Sequence, residues 1–215
     1  MSFDLRKASS GIQGLDTVLK GGFPAGRTSL VHGSPGTGKT ILGLQFLLAG
    51  IQAGEPGILI SFEEDLKTLK ENAGSLGWNL EKLEKENKLI LLDISPDPNA
   101  VYSGEFDVSG MLALINGTIK KTHAKRLVID ALDILLQLME SEMQVRNQVY
   151  VLHSWLLKNK VTSILTAKIH GDLIEYPFLE FAVDCVFRLY PQNQDKQRLL
   201  HILKYRGSDY SKGPH

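Results

Sequence analysis

Gly33, Gly38, Lys39 and Thr40 lie in the stretch GSPGTGKT, with the spacing G-x-x-x-x-G-K-[ST]. Glycines let successive backbone N–H groups turn inward as an anion-binding nest, and a helix starting at Thr40 adds its positive dipole end. This chemistry is phosphate binding by the loop Gly33, Ser34, Pro35, Gly36, Thr37, Gly38, Lys39 and Thr40. Lys39 would bridge the β- and γ-phosphates of ATP, and the Thr40 hydroxyl would take one site on Mg²⁺. A tight strand-to-helix turn that merely uses glycine is the bland alternative.

Three further groups suit the same chemistry. RLVID ends in Asp130 at the carboxyl end of an apolar run, the edge of an open α/β sheet where ligands collect. There Asp130 would hold Mg²⁺ through water opposite Thr40, although an aspartate before a helix starting near Ala131 could equally serve as its N-cap. In SFEED, Glu63 or Glu64 could polarise an attacking water, while Ser61 and Glu64 also have capping-box spacing for the helix DLKTLKENAGSL. In LKYRGSDYSKG, Lys204 and Arg206 project to one strand face with Tyr205 on the other. Two cations on one face suit a phosphate, on this subunit or a neighbour's; the alternative is a solvated pair that protects an edge strand.

These residues need a scaffold, and the chain alternates in the manner that supplies one. Short runs rich in β-branched residues at 28–32, 57–61, 88–94, 126–130 and 161–167 read as buried parallel strands. Between them, Val108, Met111, Leu112, Ile115 and Ile119 share one helix face, as do Val145, Val149, Leu152 and Leu156. Strand and helix in succession predict a doubly wound α/β sheet. FAVDCVFRLY and RLLHILKYR flank the polar PQNQDKQ and predict an antiparallel hairpin that closes the sheet. The stretch 95–106 is the one long irregular segment expected.

Composition limits the functions available. The 215 residues are 43% hydrophobic and 22% charged, which fits one domain with a continuous core. Lys plus Arg equals Asp plus Glu at 24 each, so no global field draws the chain to nucleic acid or an anionic membrane. The single cysteine, Cys185 in VDCVF, reads as a buried thiol in a reducing compartment, with the cytoplasm as the default. No apolar signal core opens MSFDLRKASSG, and no run reaches membrane-spanning length. The six histidines are scattered, which argues against a protein-built zinc site.

Taken in order, GIQGLDTVLKGGFPAGRTSLVHGSPGTGKT, SFEED, ENAGSLGW, ISPDP, RLVIDAL and LKYRGSDYSKG resemble the KaiC family of RecA-like ATPases, the core of the cyanobacterial circadian clock. The similarity spans nearly the whole chain and is strongest to the first of the two tandem halves. The resemblance implies a RecA-like P-loop NTPase with a mostly parallel, helix-flanked sheet and the C-terminal hairpin. It implies one domain over residues 1–215, ending at SKGPH short of the family's last β-segment. The family's paired catalytic glutamates fall on Glu63 and Glu64, and its nucleotide contacts fall on Thr37, Gly38, Lys39, Thr40, Ile41 and Ser75. Its trans-acting strand falls on Lys204, Tyr205, Arg206 and Ser208, which implies a homo-hexameric ring with ATP at each boundary and clock-protein partners.

Departures bear on these expectations. Tyr210 stands where the family's first half has a histidine, and Lys168 where it has a glutamate. Glu180 and Phe181 replace the family's phosphorylated serine and threonine, which argues against self-phosphorylation. Two other functions compete with a ring ATPase. A RecA-like DNA-binding module is disfavoured because ALDILLQLMESEMQ and KIHGDLIEYPF, where central ring loops would lie, are acidic on balance. A nucleotide-gated scaffold with negligible hydrolysis is disfavoured by Glu63 and Glu64.

Overall fold

The computed structural model describes residues 5–94, 108–170, 173–174, 176–191, 199–207 and 209–210. The expected irregular segment 95–106, most of the hairpin connection, Ser208 and the terminal SKGPH lie outside them. The central sheet has the order β10-β9-β3-β7-β6-β4-β5, formed by β3 (Thr28–Gly33), β4 (Gly57–Ser61), β5 (Leu89–Asp93), β6 (Arg126–Asp130), β7 (Thr162–His170), β9 (Cys185–Leu189) and β10 (Leu200–Tyr205). The pairs among β5, β4, β6, β7, β3 and β9 are all parallel, and β10 returns antiparallel to β9. Among the described residues three short strands leave no periodic signal: β1 (Lys7–Ala8) pairs with β2 (Phe23–Pro24), and β8 (Leu173–Ile174) pairs with β7.

Helices cover both faces because strand side chains alternate. Leu30, Ile58, Ile60, Leu127, Ile129 and Leu165 enter one core, together with α5 (Val108–Thr122), α6 (Leu132–Gln137), α7 (Glu142–Asn159) and α8 (Leu179–Ala182). Val31, Leu59, Val128, Ile164 and Phe187 enter the other, with α1 (Leu15–Val18), α2 (Lys39–Gln52), α3 (Leu66–Ser75) and α4 (Leu80–Lys85). β3, β4 and β6 are buried along their whole lengths, which is why Leu30–Val31, Ile58–Ile60 and Leu127–Ile129 run apolar without alternation. Cys185 is buried as its setting suggested, and burial pushes its thiol up to about 11.

The contact that sets the site's scaffold is between α2 and β6. A Cβ on Gly43 would lie 2.9 Å from Val128 Cγ1, and one on Gly50 would lie 2.3 Å from Arg126 Cδ. Two glycines seven residues apart on one helix face therefore let α2 approach the strand more closely than any other residue would allow. Arg126 fills the space beneath Gly50 at 2% exposure. Its Nε donates to Glu55 Oε2 at 2.9 Å, and its Nη1 donates to Ser9 O at 2.6 Å and Phe46 O at 2.7 Å. The guanidinium also lies 4.6 Å from the Phe46 ring centroid.

Removing this cation takes a donor from Glu55 Oε2 and from two inward carbonyls, and Glu55 keeps its 3.5 Å contact to the exposed Arg6. Arg126→Ala should destabilise the fold by about 3–5 kcal/mol. Glu55→Ala should cost about 1–2 kcal/mol, because Arg126 keeps its two carbonyl bonds. Denaturant titration of both variants measures the difference, and equal costs would mean that the carbonyl bonds contribute nothing.

Candidate functional site

The loop after β3 carries Gly33 through Gly38, and α2 starts at Lys39. Gly36 and Gly38 have φ of 77° and 95°, a region that disfavours a Cβ. A Cβ on Gly33 would stand 2.6 Å from Leu189 O and 2.7 Å from Thr37 Oγ1. The head of α2 has no side-chain cap, as is also true of α1, α6 and α8. Asp65, Asn79 and Ser141 cap α3, α4 and α7 with side-chain oxygens, whereas Gly38 at the head of α2 supplies no side-chain cap bond. The first N–H groups of α2 are thus left without the side-chain acceptor that serves α3, α4 and α7.

A cavity of about 560 Å³ opens over this loop, lined by Pro35, Gly36, Gly38, Lys39, Thr40, Ile41, Glu63, Glu64, Asp130 and Lys168. It gathers residues from four strand ends, as the carboxyl edge of a parallel sheet does. A more apolar cleft of about 450 Å³ adjoins it on the other side of Gly38 and Ile41, between α1, α2 and β9.

Thr40 Oγ1 donates to Asp130 Oδ2 at 2.7 Å, and Thr166 Oγ1 donates to Asp130 Oδ1. Asp130 therefore does not cap the following helix: α6 begins after Ala131 with no side-chain cap bond. The capping alternative is set aside by this geometry. Burial raises the pKa of Asp130, Glu63 raises it further, and the two threonine hydroxyls oppose both. A buried carboxylate beside a threonine hydroxyl is a fit partner for a divalent cation, which would relieve the desolvation that burial imposes.

The two glutamates part company. Ser61 Oγ bonds the backbone of Glu64, donating to its O at 2.6 Å and accepting from its N at 3.2 Å, while Asp65 caps α3. The capping-box expectation for Ser61 and Glu64 is thus corrected: the cap lies at Asp65, because the turn after β4 is closed by the serine hydroxyl. Glu64 Oε1 accepts from Asn72 Nδ2 at 2.5 Å, and Glu63 Oε1 pairs with Lys168 Nζ at 2.8 Å. Only Glu63 acts electrostatically on Lys39, Asp130 and Asp133 together.

Lys39 folds back on its own loop, donating to Gly33 O at 2.8 Å and Ser34 O at 3.1 Å. Burial lowers its pKa and Lys168 adds repulsion, against the pull of Glu63, Asp130 and Asp133. Beneath the loop, burial, Arg188 and Lys39 bring His32 down to about 4. It is neutral at neutral pH, and Glu180 Oε1 stands 3.4 Å from its Nε2.

The remaining candidates lie apart. Ser75 is exposed near the end of α3 and donates to Asn72 O at 2.7 Å. Leu203 forms a bulge in β10, after which Lys204 pairs with Val186 and Tyr205 with Cys185. The strand ends at Tyr205, so Arg206 opens the following turn, a correction to its expected place on the strand. Lys204 Nζ donates to Glu180 O at 2.7 Å and Val183 O at 2.6 Å, at the end of α8. Arg206 is exposed, and its backbone N–H donates to Asp184 O. Tyr205 turns to the opposite core, where its hydroxyl donates to Gly22 O at 2.6 Å and accepts from Lys7 Nζ at 2.6 Å. The Tyr210 ring stacks edge-on against Tyr205 at 5.8 Å.

Register places this strand end far from its own phosphate loop. Gly33 is level with Leu189 and Leu200, whereas Ser29 is level with Cys185 and Tyr205. Four residues of strand, about 13 Å, separate the two levels.

Comparison with known proteins matches this arrangement. A family model described as ATPase: KaiC matches residues 8–215. The circadian clock protein KaiC3 of Synechocystis is 36% identical over 216 residues, covering 97% of this chain and 43% of that protein. The circadian clock oscillator protein KaiC of Prochlorococcus marinus subsp. pastoris is 39% identical over 220 residues, covering 99% and 43%. The chain thus spans less than half the length of these curated relatives. The crystal structure of a KaiC-like protein from Pyrococcus horikoshii superposes with a TM-score of 0.86 at 35% identity, covering 98% of this chain and 93% of that one. On its glycine loop, its sheet order and these matches, the chain belongs to the KaiC family of ATPases.

Proposed function

We propose that the protein binds and hydrolyses ATP with Mg²⁺ and assembles into a ring, a homo-hexamer, whose sites are shared between subunits. The observation that carries this reading is the Thr40–Asp130 bond at the floor of a glycine-lined cavity whose wall is Glu63. Backbone N–H groups of the loop and the head of α2 receive the phosphates, and Lys39 leaves its carbonyls for the β- and γ-phosphate oxygens. Thr40 and Asp130 would hold Mg²⁺, which supplies charge neutralisation between the phosphates. Glu63 accepts a hydrogen bond from the attacking water and aims it at the terminal phosphorus; Glu64, tied to Asn72, orients the turn that carries it. Ile41 and Ser75 fall to the nucleoside end. Clock-protein partners and a timing output follow from the relatives' names alone.

Lys204 and Arg206 serve a neighbour's nucleotide in this reading, with Tyr205, Ser208 and Tyr210 on the same boundary. Register supports it, because the pair sits at the amino end of the parallel strands while the phosphate loop sits at the carboxyl end. In the separate subunit Lys204 is held by the carbonyls of Glu180 and Val183, so engagement with a phosphate requires it to exchange those partners.

Three measurements test the reading. Lys39→Ala should abolish nucleotide retention in an equilibrium binding assay; retention at the wild-type level would remove the phosphate-cradle assignment. Glu63→Gln should lower phosphate release by about 10²-fold or more, and Glu64→Gln should lower it less. A reversed order would transfer the water-positioning role to Glu64. For the shared site, Lys39→Ala subunits are mixed with Arg206→Ala subunits, each defective alone by about 10³-fold or more. Mixed rings should recover part of the hydrolysis, and no recovery in rings shown to be mixed would assign Arg206 to its own subunit or to none.

A further inference from the structure

Lys168 is the second cation in the cavity and has no part in the machinery just described. It lies near the end of β7, level with Gly33 in the neighbouring strand, so its backbone stands beside the first residue of the phosphate loop. Its N–H donates to Asp133 Oδ1 at 3.2 Å, which ties the strand end to α6. Its ammonium lies 2.8 Å from Glu63 Oε1 and is partly shielded from water. Glu63, Asp133 and Asp130 all hold it in the charged form.

We propose that Lys168 reads the third phosphate: it contacts the terminal phosphate of a nucleoside triphosphate bound in its own subunit, and Glu63 holds it in place until that phosphate arrives. The inference rests on the cavity being the nucleotide site. Lys168 and Lys39 line one cavity with Thr40, so phosphate seated over Thr40 approaches both ammonium groups. A terminal phosphate carries about two negative charges against one on Glu63, so a lysine within reach of both exchanges partners. The exchange releases the Glu63 carboxylate at the moment when a water must be positioned. A diphosphate lacks the group that draws Lys168 away, and Glu63 stays paired. The ion pair thereby links the presence of the scissile phosphate to the readiness of the glutamate beside it.

The test compares two ligands on the same protein. Affinities for a non-hydrolysable ATP analogue and for ADP, each with Mg²⁺, are measured by calorimetry for wild type, Lys168→Ala, Lys168→Arg and Lys39→Ala. Loss of one charge-assisted contact, offset in part by loss of the Glu63 pair, should weaken the analogue about tenfold in Lys168→Ala while ADP changes by less than about twofold. Lys168→Arg should restore the preference for the triphosphate. Retained ADP binding also reports that the variant is folded. An unchanged ratio of the two affinities in Lys168→Ala, or an equal loss of both, overturns the proposal. If that occurs while Lys39→Ala abolishes binding, the nucleotide site stands and only the role of Lys168 falls. If wild type binds neither ligand, both fall.

Discussion

The close approach of α2 to β6 is the constraint on which the site depends. Gly43 and Gly50 remove the side chains that would hold the helix off the strand, and Arg126 locks the gap at its far end. The near end of the same contact is where Thr40 meets Asp130. A helix displaced by the width of one methyl group would separate that pair, although neither residue would itself have changed. The geometry of the phosphate end is thus maintained by a cation that packs beneath Gly50, ten residues of helix from Thr40, and touches no ligand.

The cavity is electrostatically closed on itself. Lys39 is held by loop carbonyls, Lys168 by Glu63, and Thr40 by Asp130. Each of these three side chains already has a partner. Binding at such a site trades one set of hydrogen bonds for another, so the net gain per contact is modest and selectivity comes from charge and shape. The same closure lets a buried aspartate and a partly buried lysine coexist with little exposure to water.

Much of this was legible in the sequence where chemistry is local. The phosphate loop, the strand ending in Asp130 and the apolar faces of α5 and α7 follow from spacing within a dozen residues, and the sheet architecture follows from their alternation. What escaped depends on residues distant in the chain. Both Glu63 and Glu64 line the cavity, and which partner each takes is decided by Lys168, some hundred positions on, and by Asn72 on the next helix. Arg126 reads as the polar start of a strand; the signal is a charge heading an otherwise apolar run, with Gly43 and Gly50 paired seven apart in α2. The elements β1, β2, β8 and α8 are too short to impose a period. The opposed faces of Lys204 and Tyr205 are readable, but the strand's end before Arg206 and the carbonyls that hold Lys204 are not, since those carbonyls belong to a four-residue helix and the residue after it.

The bulge at Leu203 carries a consequence of its own. Because it inserts one residue opposite none, it decides which core Tyr205 enters and which face receives Lys204. Leu203 is half exposed, so its own side chain can vary. The number of residues between Ile202 and Lys204 cannot: losing one would rotate the tyrosine out of its pocket against Phe187 and turn Lys204 to the face that Tyr205 occupies. The segment is therefore tolerant of spelling and intolerant of length, and a single-codon deletion there would do what few point substitutions could.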